Sequence, residues 1–307
     1  MSILTVFSQM LIFFALIMVG VACSRKNLVS EENSHSISKL IVNVFNPAII
    51  FSSVLGNSQN KEGSYISLIV VIAVVMFAIF IVIGSIGSRF FTKDKNEIKV
   101  YKLMTVFSNV GFIGIPLVNS LYGSSAVIYV AIFILIYNIL IYTYGVSVLQ
   151  GEAGKKLSFS NLKTVLNMGT LSCCITLLVF YFDIPFHPVI QTTVTYLGNV
   201  ATPLSMMSIG FSLGRANIFS VFNDKKLYLF TFIKLIIIPV IGVLILRRLN
   251  LPEQVLGVSA VMLSMPIGNL PVMLANQYGI ESESCAKGII ITTLCSVITV
   301  PLIMWLV

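Results

Sequence analysis

Thr105-Val106-Phe107-Ser108-Asn109-Val110-Gly111-Phe112-Ile113-Gly114-Ile115-Pro116-Leu117 cannot form an uninterrupted helix. Pro116 removes one amide donor and clashes with the preceding turn, and Gly111 and Gly114 lower the cost of irregular backbone. Ser264-Met265-Pro266-Ile267-Gly268-Asn269-Leu270-Pro271 repeats the device, with two prolines around a Gly-Asn pair. Both stretches sit inside long apolar runs. At such depth in a bilayer, unwound backbone is tolerated only where it is buried in protein or lines a cavity. The breaks are expected over 109–116 and 266–271.

Working outward, 57% of the chain is hydrophobic and only 10% is charged, against about 25% charged in an ordinary soluble domain. The runs 4–21, 68–86 and 127–149 hold no charge, and a spanning helix needs about 20 such residues. None alternates in polarity as the strands of a membrane barrel do. Spans are expected near 3–22, 37–56, 65–88, 100–121, 125–149, 161–182, 190–213, 227–248, 254–276 and 284–306, giving an all-α membrane protein of ten helices. Gly20-Val21-Ala22-Cys23 has some look of a lipoprotein cleavage site. The basic pair Arg25 and Lys26 follows the apolar run instead of preceding it, however, so the run reads as a first transmembrane helix.

Basic loops are retained in the cytoplasm. The loops after odd-numbered spans carry Arg25, Lys26 and Lys39, then Arg89, Lys93, Lys95, Lys99 and Lys102, then Lys155, Lys156 and Lys163, then Arg215, Lys225 and Lys226, and Lys287. The other side has Lys61, Arg247 and Arg248. The expected location is the plasma or inner membrane, with both termini outside. The net charge of +8 decorates loops and gives no reason to expect nucleic acid as a partner.

A shift of 156 residues carries Asn43-Val44-Phe45-Asn46-Pro47 onto Asn199-Val200-Ala201-Thr202-Pro203, Tyr122-Gly123 onto Tyr278-Gly279, and Gly145 onto Pro301. Pro116 meets Pro271 at a shift one residue smaller. Several matches at one offset argue for duplication. The expected division is a first five-helix repeat over 1–150, a short cytoplasmic linker over 151–161 and a second repeat over 162–307. An odd number of spans per half makes the repeats inverted, the architecture of secondary transporters whose site lies at the interrupted helices near the midplane.

Proline suits the first helical position, so Pro116 and Pro271 are the expected starts of the outgoing half-helices. In inverted repeats those N-termini meet, each with free amides and about half a positive charge, which favours an anion such as a carboxylate. Asn109 and Asn269 precede these starts and can donate to a ligand or cap the backbone. Ser52 and Ser53, following a break at Pro47, either line the same cavity or pack helices, and Tyr137 with Asn138 either faces the pocket or bonds between helices. Lys234, seven residues beyond Leu227 and roughly 10 Å along its helix, either snorkels to the interface or supplies a fixed positive charge that holds an anion or replaces a coupling cation. The acidic residues, among them Asp94, Glu97, Asp183, Asp224, Glu253 and Glu281, fall in loops or at span ends, which disfavours a cation/proton antiporter. His35 and His187 lie near loops. Five cysteines (Cys23, Cys173, Cys174, Cys285, Cys295) match no metal or disulfide spacing, so no metal, cofactor or enzymatic site is expected.

These stretches resemble the auxin efflux carrier family, which contains plant PIN-formed exporters and bacterial malate and malonate permeases. The carrying pieces are Phe45-Asn46-Pro47-Ala48, the run from Ser108 to Leu117 with Tyr122-Gly123, Pro203-Leu204 through Ile209-Gly210 with Leu213-Gly214, and Met265-Pro266 through Tyr278-Gly279. The resemblance implies an elevator-type carrier of small carboxylates and a homodimer. Its scaffold would be spans 1, 2, 6 and 7, its crossovers would lie at the prolines of spans four and nine, Asn109 would be the crossover asparagine and Tyr137 would face the pocket; with Gly114, Pro116, Asn269 and Pro271 at the breaks, these are the candidate substrate-binding residues. The short joint 151–161 in place of the plant members' long loop favours the bacterial-permease branch. The expected cargo is a small organic anion such as malate or an auxin-like acid. A sodium-coupled symporter of a larger, bile-acid-like anion and a passive anion channel are the competing classes.

Overall fold

The computed structural model describes residues 3–55, 65–151, 166–215, 224–280 and 283–307. Lys61, Lys155, Lys156, Lys163, Glu281 and the joint expected over 151–161, apart from Gly151, lie outside them. The described residues form helices and no strand, with one isolated bridge between two unwound segments. In chain order the helices are α1 (Ile3–Arg25), α2 (31–52), α3 (Ile66–Phe91), α4a (Lys95–Val106) with α4b (Val110–Tyr122), and α5 (Ser124–Gln150). They continue as α6 (Met168–Phe182), α7 (Pro188–Arg215), α8 (Lys225–Arg248), α9a (Glu253–Ser264) with α9b (Leu270–Gln277), and α10 (Glu283–Met304). Five of these, α1, α3, α5, α8 and α10, are long and apolar enough to cross a membrane.

Helix starts follow local chemistry. Ser30 accepts from the Asn33 amide, Asp94 from Asn96 and Glu97, Asn167 from Thr170, and Asp224 from Lys226 and Leu227. Each oxygen satisfies amides that the first turn leaves without a carbonyl. Because of the Ser30 cap, α2 begins at Glu31, six residues before the expected span, and Lys39 belongs to its last α-helical turn and not to a loop.

Proline acts differently from expectation. Pro47, Pro116 and Pro239 do not break their helices; each follows a widened π turn, Ile41–Phe45, Val110–Gly114 and Ile233–Ile237. In each case the amide just before the proline reaches back five residues: Asn46 to Ile41, Ile115 to Val110, Ile238 to Ile233. The wider turn makes room for a ring that would otherwise strike the preceding carbonyl, and it rotates the side chains that follow. The expected break at Pro47 is therefore a π turn, and the chain runs helical through to Ser52.

Two sets of helices pack around the breaks. In one, α1 lies along α7, and α2 packs on both α7 and α6; in the other, α3 packs on α4a and α5, while α9a packs on α8 and α10; the two sets meet where α1 packs on α10 and α6 on α5. The α1/α7 contact is backbone to backbone. A Cβ at Gly20 would stand 2.3 Å from the Met207 carbonyl oxygen, and one at Gly210 would stand 2.1 Å from that of Ile17. Small residues permit such approach where lipid supplies no hydrophobic drive between helices. Hydroxyls add polar links: Ser24 donates to the Phe211 carbonyl at 3.1 Å, and Ser38 and Ser208 hydroxyls lie 2.9 Å apart.

Gly210→Ala should therefore lower the thermal midpoint of the detergent-solubilised protein by the equivalent of about 1–3 kcal/mol, the usual cost of overpacking. Gly87→Ala, where an added Cβ meets nothing within 4 Å, should cause no loss, because alanine is the better helix former. Equal midpoints for the two variants would contradict a close α1/α7 crossing.

Candidate functional site

The chain unwinds at two places, 107–109 and 265–269, and the two segments pair with each other. The Asn109 amide donates to the Pro266 carbonyl at 2.7 Å and the Gly268 amide to the Phe107 carbonyl at 3.0 Å, making an antiparallel bridge between Ser108 and Ile267. The Ile267 amide donates to the Thr292 hydroxyl of α10 at 3.2 Å, and that hydroxyl donates to the Gly288 carbonyl at 2.6 Å. Backbone groups that lost their helical partners are satisfied across the break, as an apolar interior requires. Pro266, lacking an amide, contributes only its carbonyl.

The outgoing helices begin earlier than the prolines suggested. α4b starts at Val110, with Asn109 as its cap: the Asn109 Oδ1 accepts from the Phe112 amide at 3.1 Å. Pro116 lies within the helix, not at its start, because the π turn accommodates it. α9b starts at Leu270, with Pro271 in its first turn as expected. Asn269 caps α9b by its backbone alone, without a side-chain bond, and is only half-buried. The two asparagines thus differ. Asn109 has committed its oxygen to the cap and keeps its NH2 for donation, whereas Asn269 has made no such commitment.

Lys234 does not snorkel. It is 1% exposed, carried inward by the π turn that Pro239 demands, and its ammonium donates to the Thr105 carbonyl at 2.7 Å and the Ser108 hydroxyl at 2.8 Å. The Phe80 ring lies beneath it, 4.5 Å from nitrogen to centroid. Thr105 belongs to the last turn of α4a, where unpaired carbonyls gather about half a negative charge. The cation therefore sits at the negative end of one half-helix, and none of the described carboxylates pairs with it.

The remaining residues divide. Tyr137 is buried, its ring edge-on to Phe107 at 5.2 Å between centroids, and its hydroxyl would stand 3.3 Å from a Cβ on Gly268. It belongs to the crossover. Gly114 and Pro116 are buried in α4b, and Gly114 leaves room for Met262 of α9a, whose methyl would stand 3.0 Å from an added Cβ. Ser52 and Ser53 turn their hydroxyls to carbonyls of their own helix, Ile49 at 2.9 Å and Ile50 at 2.6 Å. That is the way serine closes a final turn.

Asn46 was not among the candidates. Its side chain is buried, its Oδ1 has no partner, and its Nδ2 stands 3.6 Å from where a Cβ on Gly111 would project, at the first turn of α4b. Asn46 stands in the Phe45-Asn46-Pro47-Ala48 stretch that carries the family resemblance, which marks the position but not its direction. The π turn before it aims Asn46 at the crossover. Three amide side chains, from α2 and from the two caps, thus lie around the unwound backbone.

The sequence profile of a family described as "Membrane transport protein" matches residues 5–164 and 157–304. An uncharacterized transporter of Methanocaldococcus jannaschii is 25% identical over 305 residues, covering 96% of this chain and 97% of that protein. The uncharacterized transporter YfdV of Escherichia coli strain K12 is 23% identical over 314 residues, covering 96% and 95%. An uncharacterized transporter of Methanothermobacter thermautotrophicus is 24% identical over 292 residues, covering 94% and 93%. The chain belongs to this membrane transport family, the auxin efflux carrier group that its motifs resemble.

A Cβ on Gly268 would lie 2.9 Å from the Ser108 carbonyl oxygen. Gly268→Ala should force the paired segments apart and lower the thermal midpoint more than Gly111→Ala, whose nearest neighbour is at ordinary contact distance. Thermal unfolding of the two purified variants decides it.

Proposed function

We propose that this member of the membrane transport family is a secondary carrier of a small organic anion, a carboxylate such as malate or an auxin-like acid. On this reading ten spans form two inverted repeats, and the anion binds where α4 and α9 cross. The observation that carries the reading is the pair of unwound segments bonded to each other, from which α4b and α9b depart with their N-termini at the break. Two helix N-termini bring about one positive charge in partial charges to that point. The NH2 groups of Asn109 and Asn46 and the uncommitted amide of Asn269 supply donors of the kind a carboxylate accepts.

Alternating access by an elevator motion fits the two-part packing. The α1/α7 contact, locked by glycines, favours a rigid scaffold of α1, α2, α6 and α7, against which the crossover helices move as a body. A small cleft lies on the boundary, with Met10, Phe13 and Ile17 of α1, Ile113 of α4b, and Thr293 and Ser296 of α10 in its lining. The orientation with both termini outside is supported by the position of basic residues at helix ends: Arg215 donates to the Ser30 carbonyl at 3.1 Å, and Lys99 donates to that of Leu149 at 2.9 Å. On this reading the carrier works in the plasma or inner membrane as a homodimer.

Purified protein titrated with malate, malonate, succinate and indole-3-acetate should gain thermal stability with at least one of them, in a saturable manner. Asn109→Ser should keep the resting midpoint, because serine caps as well as asparagine. It should nevertheless bind about 10-fold more weakly, the loss of one hydrogen bond to a charged group. Asn269→Ala should weaken binding similarly. Variants that respond as the unaltered chain does would remove the crossover as the site.

A further inference from the structure

Lys234 is the charged group that the anion reading leaves without a defined task. Its surroundings are a main-chain carbonyl at 2.7 Å, a hydroxyl oxygen at 2.8 Å and the face of an aromatic ring at 4.5 Å. Neutral oxygens at a helix C-terminus attract a monovalent cation, and an aromatic face beside them adds to that attraction. The ammonium lies where such an ion would lie. It is fixed there by a side chain that is 1% exposed on a helix packed against α9a and α10.

The geometry points to a tethered cation: the Lys234 ammonium fills a monovalent-cation position at the α4 break, so the carrier works without a sodium ion. This inference rests on the reading of the chain as a carrier with its site at the crossover. The physical reasoning is one of charge. Unwinding at 107–109 leaves the last carbonyls of α4a without partners, and these need positive charge within hydrogen-bond reach. A carrier that recruits sodium for the purpose ties anion binding to ion binding. A carrier that provides the charge from its own chain has no free position left for the ion. Ser108 joins the two functions, since its hydroxyl accepts from Lys234 while its backbone pairs with Ile267 and precedes the Asn109 cap. A charge at Lys234 is thereby felt at the start of α4b.

Thermal unfolding of the purified full chain, with no organic anion present, tests this directly. The unaltered protein should have the same midpoint in sodium, potassium and choline chloride. Lys234→Ala should unfold at lower temperature, and sodium or n-propylammonium, which restores the missing carbons and ammonium, should raise its midpoint saturably. A saturable rise with sodium in the unaltered protein would overturn the inference. So would a Lys234→Ala variant that is as stable as the parent, or one that is destabilised and answers to no cation, which would make Lys234 a structural strut. If Lys234→Ala does not survive extraction, binding of radioactive sodium to the unaltered chain decides: no saturable binding upholds the tethered cation, and saturable binding overturns it. Because no carboxylate is present, failure here leaves the anion reading standing, and failure of the carboxylate titration leaves this result standing.

Discussion

Two backbone hydrogen bonds, Asn109 to Pro266 and Gly268 to Phe107, are the constraint on which the rest depends. A helix interrupted in an apolar interior exposes amides and carbonyls, and each unsatisfied group costs several kcal/mol. Neither α4 nor α9 can meet that cost alone. Each break supplies the partner of the other, so the two stretches are tolerable only together. The neighbouring features follow from this mutual dependence: glycine at 268, where any side chain would strike Ser108; Thr292 on α10 facing the Ile267 amide; and the Asn109 cap that restarts the helix one residue after the bridge.

From that pairing comes an electrostatic arrangement. Breaking a helix creates a positive start and a negative finish in the same small volume. The finish of α4a is answered by Lys234, held by Thr105 and Ser108. An unpaired ammonium at mid-helix costs about 3 kcal/mol on insertion scales, so its retention with neutral oxygen partners argues that it offsets the helix end. The starts of α4b and α9b carry no acidic residue in their first turns. On the carrier reading, this is the charge left for the transported anion to neutralise.

Much of this was legible in the residues. Proline, glycine and asparagine inside apolar runs marked both interruptions, and the broken segments lie where those residues cluster. Their exact extent was not legible, because the cost of a proline depends on whether the turn before it can widen. At Pro116 it widens, so the break moved back to 107–109; at Pro47 it widens, so the expected break vanished. Lys234 could be read as snorkelling or internal from its depth alone, and only the π turn before Pro239 directs it inward. Residue type made Ser52 and Ser53 candidates, but not the carbonyls of their own helix to which their hydroxyls donate. Asn46 was missed for the opposite reason, since nothing in its local sequence tells that Gly111 lies across from it.

Counterflow measures the central claim most directly. Proteoliposomes loaded with unlabelled malate and diluted into labelled malate should accumulate label transiently above equilibrium, and an excess of external malonate or succinate should suppress it. The same vesicles bearing Asn109→Ser should accumulate far less. Label that only equilibrates, at a rate independent of the internal anion, would contradict a carrier with an anion site at the paired breaks.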